Sequence, residues 1–307
     1  MKKKFSYILF FIATVIWGLA FIAQKAAVLI PPFTVGAIRS LLASLFLLAL
    51  IPIMDKANGG HRHLITKNKT LDFTKRELIG GFWLGVIITV ATAFQQYGLG
   101  EGTDAGKAAF ITALYVVIVP IISIVLGKRP SILTVISIPI AIFGFYLLCI
   151  GENLSLNVSD LLVLVCAVIF AGHIIVVDHF SPGCDGVRMS FVQFFVAFIL
   201  NSILAIIIDG VVDIRTIGSV IGSLLFLGIM SSGIAYTLQI IGQKDADPSV
   251  ASMILSLEAV FGVIGGAILL KERMSEREII GCVIVFCAVL MAQIEPSWIK
   301  KIFKRGK

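Results

Sequence analysis

Few residues in this 307-residue chain place a titratable or aromatic side chain inside a long apolar run, and those few are the ones able to do chemistry. Glu258 lies about ten residues into the apolar stretch 248–270, or roughly 15 Å along a helix at 1.5 Å per residue. A carboxyl at that depth costs roughly 2.5–3.5 kcal/mol or more in a bilayer unless it meets a partner or water. It reads as a proton site, as a counter-charge for a cationic substrate, or as a structural carboxyl bonded to a neighbouring helix. His173, about fourteen residues into the stretch 159–178, suits a proton relay or a hydrogen bond within a bundle. Arg39, about six residues into 34–54, is open to three roles. It can snorkel to the headgroups, pair with an acid, or attract an anion. Trp17 and Phe21 stand one turn apart near the middle of the first stretch. They form an aromatic wall for a ring or a cation, or simply pack a helix, and Gly18 beside Trp17 allows close backbone approach. Gln96 and Gln239 sit near stretch ends, with Gln95, Tyr97 and Tyr236 close by. They serve either a substrate path or interhelical hydrogen bonds. No P-loop, GxSxG or HExxH pattern is present, so neither an enzyme nor an ATP-driven pump is expected. No cofactor is expected, and no second His stands at zinc spacing in an apolar stretch.

The elements that must hold these residues follow from composition. The chain is 58% hydrophobic and 14% charged, with a mean hydropathy of +1.04. Soluble domains run near 45–50% apolar and about 25% charged. A bilayer is therefore the expected solvent. Ten apolar stretches stand out, roughly 5–28, 34–54, 78–99, 104–126, 131–150, 159–178, 187–208, 217–242, 248–270 and 277–295. Breakers separate them, among them Pro31-Pro32, Asn58-Gly59-Gly60, Pro182-Gly183 and Asp247-Pro248. Asp104 and Asp247 each precede a stretch as helix N-caps. The first stretch follows Lys2, Lys3 and Lys4 but is longer than a signal-peptide core and has no small-x-small cleavage site, so it reads as a span.

Charge sets the expected orientation. With the N-terminus inside, eighteen Lys and Arg fall on the inside, six on the outside, and Arg39 within a span. That bias predicts a multi-pass protein of the cell membrane with both termini cytoplasmic. The net charge of +7 then belongs to the lipid surface, and no nucleic-acid partner is expected. The five cysteines, Cys149, Cys166, Cys184, Cys282 and Cys287, have no metal spacing and read as small core residues.

A shift of 143 residues lays the third and fourth stretches on the eighth and ninth without a gap. Gly85 meets Gly228, Gln96 meets Gln239, Asp104 meets Asp247, and Lys128 meets Lys271. Tyr115 falls on Glu258. The chain thus reads as an all-α membrane protein of two five-helix units, 1–150 and 151–307, the second ending in a basic tail. Five spans per unit is odd, so the copies cross in opposite senses, the inverted-repeat plan of many secondary transporters. An inverted two-fold keeps midplane residues at the midplane and turns Glu258 and Tyr115 toward one central cavity.

The chain resembles the drug/metabolite transporter superfamily in its ten-helix EamA branch. The residues that carry the likeness are Trp17-Gly18-Leu19-Ala20-Phe21, Arg39-Ser40-Leu41-Leu42, Pro120, Leu257-Glu258-Ala259-Val260-Phe261 and Lys271-Glu272-Arg273. It departs from the family at Arg129, where Glu is common, and at Ala259, where many members have Pro. The resemblance implies transport of a small molecule by alternating access through a central cavity. A single chain would suffice, and an amino acid, an amine or a similar metabolite is the favoured solute, moved by proton coupling or exchange. An uncoupled facilitator and a non-transporting membrane sensor stay open as rival readings.

Overall fold

In a computed structural model, residues 2–57, 72–149, 157–269 and 275–294 are described. The basic connection around His61 and His63, the Lys271-Glu272-Arg273 loop and the basic tail lie outside them. Among the described residues every regular element is helical, as apolar segments in lipid must be, because only a helix or a closed barrel pairs every backbone group without water. The helices are α1 (Lys2–Ala26), α2 (Pro32–Ala57), α3 (Lys75–Gly100), α4 (Ala105–Ala113), α5 (Tyr115–Val125), α6 (Ile132–Cys149), α7 (Val158–Phe180), α8 (Gly186–Leu204), α9 (Ile214–Ser219), α10 (Ile221–Leu225), α11 (Tyr236–Gln243), α12 (Pro248–Leu255), α13 (Glu258–Leu269) and α14 (Glu276–Ala292). Eight of the helical runs are long and apolar enough to cross a membrane. The stretches at 131–150 and 277–295 carry the shorter helices α6 and α14.

Two of the expected spans are interrupted near their middle, and the eighth, 217–242, near its start at Val220. The fourth breaks at Leu114, between α4 and α5, and the ninth breaks at Ser256-Leu257, between α12 and α13. No Pro or Gly stands at either break, and Ser256 turns its hydroxyl back onto the Met253 carbonyl at 2.8 Å. The eighth is not uniformly α-helical either, since π-helical turns run over Phe226–Ala235, between α10 and α11.

Starts follow local chemistry in most places. Asp247 caps α12 by accepting from the Ser249 N–H at 2.8 Å, with Pro248 in the first turn. Thr74 and Glu77 form a capping box on α3. Asp104 is a correction: its backbone stands at the start of α4, but its side chain makes no capping bond.

Packing pairs the helices in a repeating way. α2 lies along α8, α6 along α14, α3 along α7, and α1 along α11, α13 and the π-helical turns. The α1–α13 contact depends on Gly18, where a Cβ would fall 2.5 Å from the Phe261 Cβ and 2.7 Å from the Gly262 N. Backbone cannot yield as a flexible side chain can. Gly18→Val is expected to part α1 from α13 and to lower stability by about 1–3 kcal/mol. Thermal unfolding in detergent reads this, and an unchanged midpoint would refute the close contact.

Polar bonds tie the ends of the bundle. Arg188 at the start of α8 is almost wholly buried. It donates to Asp55 of α2 at 2.7 Å, to Asp185 at 3.1 Å and to the Asp72 carbonyl at 3.1 Å. Glu77 accepts from the Asp185 N–H at 2.8 Å and so draws α3 into the same knot. At the opposite end, Lys107 meets the buried Asp160 at 2.6 Å and Thr103 donates to Asp160 at 3.0 Å. Lys25 of α1 donates there to the carbonyls of Leu99 and Thr103.

Candidate functional site

The helix breaks lie where the titratable residues are. Tyr115 is the first residue of α5 and Glu258 the first of α13, each just past its break. Both are buried, at 4% and 5% exposure. The turn continues across the second break, with the Ala259 N–H donating to the Ser256 carbonyl at 3.2 Å and the Phe261 N–H to the Leu257 carbonyl at 3.0 Å. The Tyr115 hydroxyl stands within reach of the Glu258 carboxyl.

These two side chains line one internal cavity together with Trp17, Phe21, Arg39, His173 and Gln239. Gln96 does not line it; its Nε2 donates to the Gln24 carbonyl at 3.2 Å, an interhelical bond. Arg39 does not reach the headgroups. It is buried, and its Nε and Nη2 donate to Ser232 Oγ at 3.0 Å and Ser231 Oγ at 3.3 Å. The π-helical turns that hold both serines also put the Ser231 carbonyl within 3.3 Å of Trp17 Nε1. π turns recur at functional sites because they free backbone groups from the regular ladder.

Tyr236 is the residue the sequence undervalued. Its ring centroid stands 4.6 Å from that of Trp17, 5.6 Å from His173 and 5.5 Å from Phe194. It is the hub of the aromatic wall. Its signal was its place at the end of the eighth apolar stretch, three residues before Gln239. Gln24, Gln95, Thr112, Phe170 and Ser231 also face the cavity, with Gln95 Nε2 donating to Thr112 Oγ1 at 3.1 Å. His173 Nε2 meets Gln193 Oε1 at 3.3 Å, a bond on the side of α8.

The cavity volume is about 40 Å³. That is room for a few waters at roughly 10–15 Å³ each, well short of the ~300 Å³ at which small-molecule pockets begin. An acid, a guanidinium, an imidazole, three carboxamides and an aromatic wall thus surround a small, partly open space. Such a set can hold a small polar solute by charge, hydrogen bonds and ring faces, and can exchange protons with it.

Comparison with known proteins places this geometry. The model of the EamA-like transporter family matches residues 4–150 and again 157–293. An uncharacterised transporter of Archaeoglobus fulgidus is 29% identical over 296 residues, covering 96% of this chain and 87% of the relative. The uncharacterised transporter YoaV of Bacillus subtilis is 22% identical, covering 91% of this chain and 93% of the relative. A solved crystal structure aligns with a TM-score of 0.74 at 18% identity over 94% of this chain and 96% of its own, which shows a shared fold.

Proposed function

The chain belongs to the EamA-like transporter family and is a multi-pass membrane protein, and on that premise we propose that it is a secondary active transporter of a small organic metabolite. The solute class is an amino acid, an amine or a similar compound, moved by alternating access with proton coupling or exchange. The protein has ten spans in two inverted units, 1–150 and 151–307, around the central cavity, and both termini are cytoplasmic.

One observation carries this reading. Tyr115 and Glu258, equivalent under the 143-residue shift, both stand at the first residue after a helix break and both line the one cavity. The packing supports the two-fold as well. The second and fifth stretches of one half lie on their own counterparts, α2 on α8 and α6 on α14. The third stretch of each half lies on the first stretch of the other, α3 on α7 and α11 on α1. A duplicated, oppositely threaded bundle of this kind can rock about its midplane site. The small volume fits a closed form that must widen to take a solute. The knots at Arg188 and at Asp160 close opposite ends of the bundle and would open in turn.

Within the site, Glu258 carries the proton or faces the cationic group of the solute. Arg39 sets the opposite charge, and Trp17, Phe21 and Tyr236 supply ring faces. The test is uptake into proteoliposomes across a panel of amines and amino acids, with and without a pH gradient. Uptake that rises with the gradient is the expected result. Gradient-independent flux would favour an uncoupled facilitator, and flux of no solute would favour a sensor.

A further inference from the structure

Away from the central cavity, the turn between α5 and α6 forms a second concave site. Gly127 leaves α5 in the left-handed region at φ +82°, and Lys128, Arg129 and Pro130 carry the chain across to α6. α5 packs along α7 and α12, and α6 along α14, so the two helices diverge from this turn. Between them lies a groove of about 410 Å³, bounded by Ile124, Gly127, Lys128, Arg129, Pro130 and Val135. That volume falls in the ~300–1,000 Å³ range of ligand sites. The backbone of the turn is self-paired. The N–H groups of Leu126, Gly127 and Lys128 donate to the carbonyls of Ile122, Ile124 and Ser123 at 2.9, 2.9 and 2.8 Å. Side chains are therefore what the groove offers a ligand. Lys128 shares its ammonium with Asp178 of α7, and both keep access to water. The Arg129 guanidinium is exposed and meets no acid or carbonyl among the described residues. Beside the cations, Ile121, Ile124 and Val125 of α5 and Ile132, Val135 and Ile136 of α6 are exposed.

A ligand for this groove must answer two chemistries at once. The rim holds two cations against one carboxylate, and a guanidinium fork matches a phosphate with two parallel N–H donors. The walls are apolar and, in a bilayer, meet acyl chains. A free inorganic anion answers only the rim. A choline lipid brings a cation to the same depth as Arg129 and Lys128. We propose that the α5–α6 groove binds an anionic phospholipid, its phosphate on Arg129 and Lys128 and its acyl chains along the apolar faces of α5 and α6. With both termini cytoplasmic, the lipid belongs to the inner leaflet, where anionic headgroups attract basic residues at the membrane surface. α5 begins at Tyr115, so the lipid sits at the far end of a half-helix that starts on the central cavity. The site does not depend on what that cavity carries.

The test uses the full chain in proteoliposomes that contain phosphatidylglycerol or phosphatidylcholine with the same photoactivatable acyl chain, at equal mole fraction. Mass spectrometry of the labelled peptides is the readout. Phosphatidylglycerol is expected to label residues 121–136 about fivefold or more above phosphatidylcholine, as one basic contact to an anionic headgroup requires. Arg129→Gln should bring that ratio close to one. Arg129→Lys keeps the charge without the fork and should keep part of the preference. Arg129 is exposed on a turn, so neither variant should disturb the bundle. Lys75→Gln removes an exposed cation of the α3 start, outside the groove, and should leave the ratio as in wild type. Equal labelling by the two lipids in the wild type overturns the proposal, and so does a preference that survives Arg129→Gln. A fall in Lys75→Gln as large as in Arg129→Gln would mark a diffuse surface charge and also overturn it. Millimolar inorganic phosphate should leave the preference in place. Its loss there would assign the groove to a soluble anion instead of a lipid.

Discussion

Glu258→Gln is expected to lower gradient-driven uptake about thirtyfold or more, the effect of taking away a buried charge whose contact is worth at least ~2 kcal/mol. The substitution keeps volume and shape, so the bundle should hold. What it removes is the one acidic group among the described residues that line the cavity, placed at the first turn of α13. Glu258→Asp keeps a carboxylate on the same turn and should keep a measurable part of the flux and its dependence on the gradient. Proteoliposome uptake with an imposed pH step measures both. Flux of Glu258→Gln equal to wild type and equally sensitive to the gradient would remove Glu258 from the mechanism.

The second large effect is on stability. Arg188 is the hub that ties Asp55 of α2 and Asp185 of α8, with Glu77 of α3 bound to the Asp185 N–H. Removing one partner of a buried ion pair leaves the others uncompensated, at about 3–5 kcal/mol. The two aspartates keep some access to water, so about 2–3 kcal/mol is the expected loss for Arg188→Met. Arg188→Lys should rescue little, because a point charge cannot span both carboxylates and the Asp72 carbonyl as a planar fork does. Thermal unfolding in detergent reads this as a drop of several degrees. A midpoint within one degree of wild type would show that the knot does not hold this end of the bundle.

Much of this was legible in the sequence because a bilayer leaves the chain few choices. Each apolar stretch had to be helical, and the breakers Pro31-Pro32 and Asp247-Pro248 separated helices as expected. The 143-residue shift put Tyr115 and Glu258 together without any structure, since polar residues in one register on two apolar helices are hard to match by chance. The interior of the spans was less legible. The break at Ser256-Leu257 has no Pro or Gly to announce it, and the π turns of Phe226–Ala235 share their composition with any apolar helix. The sequence places Tyr236 beside Gln239 but does not single it out, because its neighbours, not its own position, make it central. Trp17 comes from α1 and His173 from α7, and only the packing brings them to its ring. For Arg39 the sequence gives a depth but no partners, so it leaves snorkelling, an acid partner and an anion open. Ser231 and Ser232 reach it only through the widened turn.

The most direct test of alternating access is labelling at the cavity itself. Ala20, small and buried, lines the cavity beside Phe21. In a chain whose native cysteines are replaced, Ala20→Cys would be reacted in sealed vesicles with a membrane-impermeant thiol reagent, added to one face at a time. Alternating access predicts labelling from either face, because the same residue opens first to one side and then to the other. Labelling from one face only, under every condition of solute and pH, would contradict it.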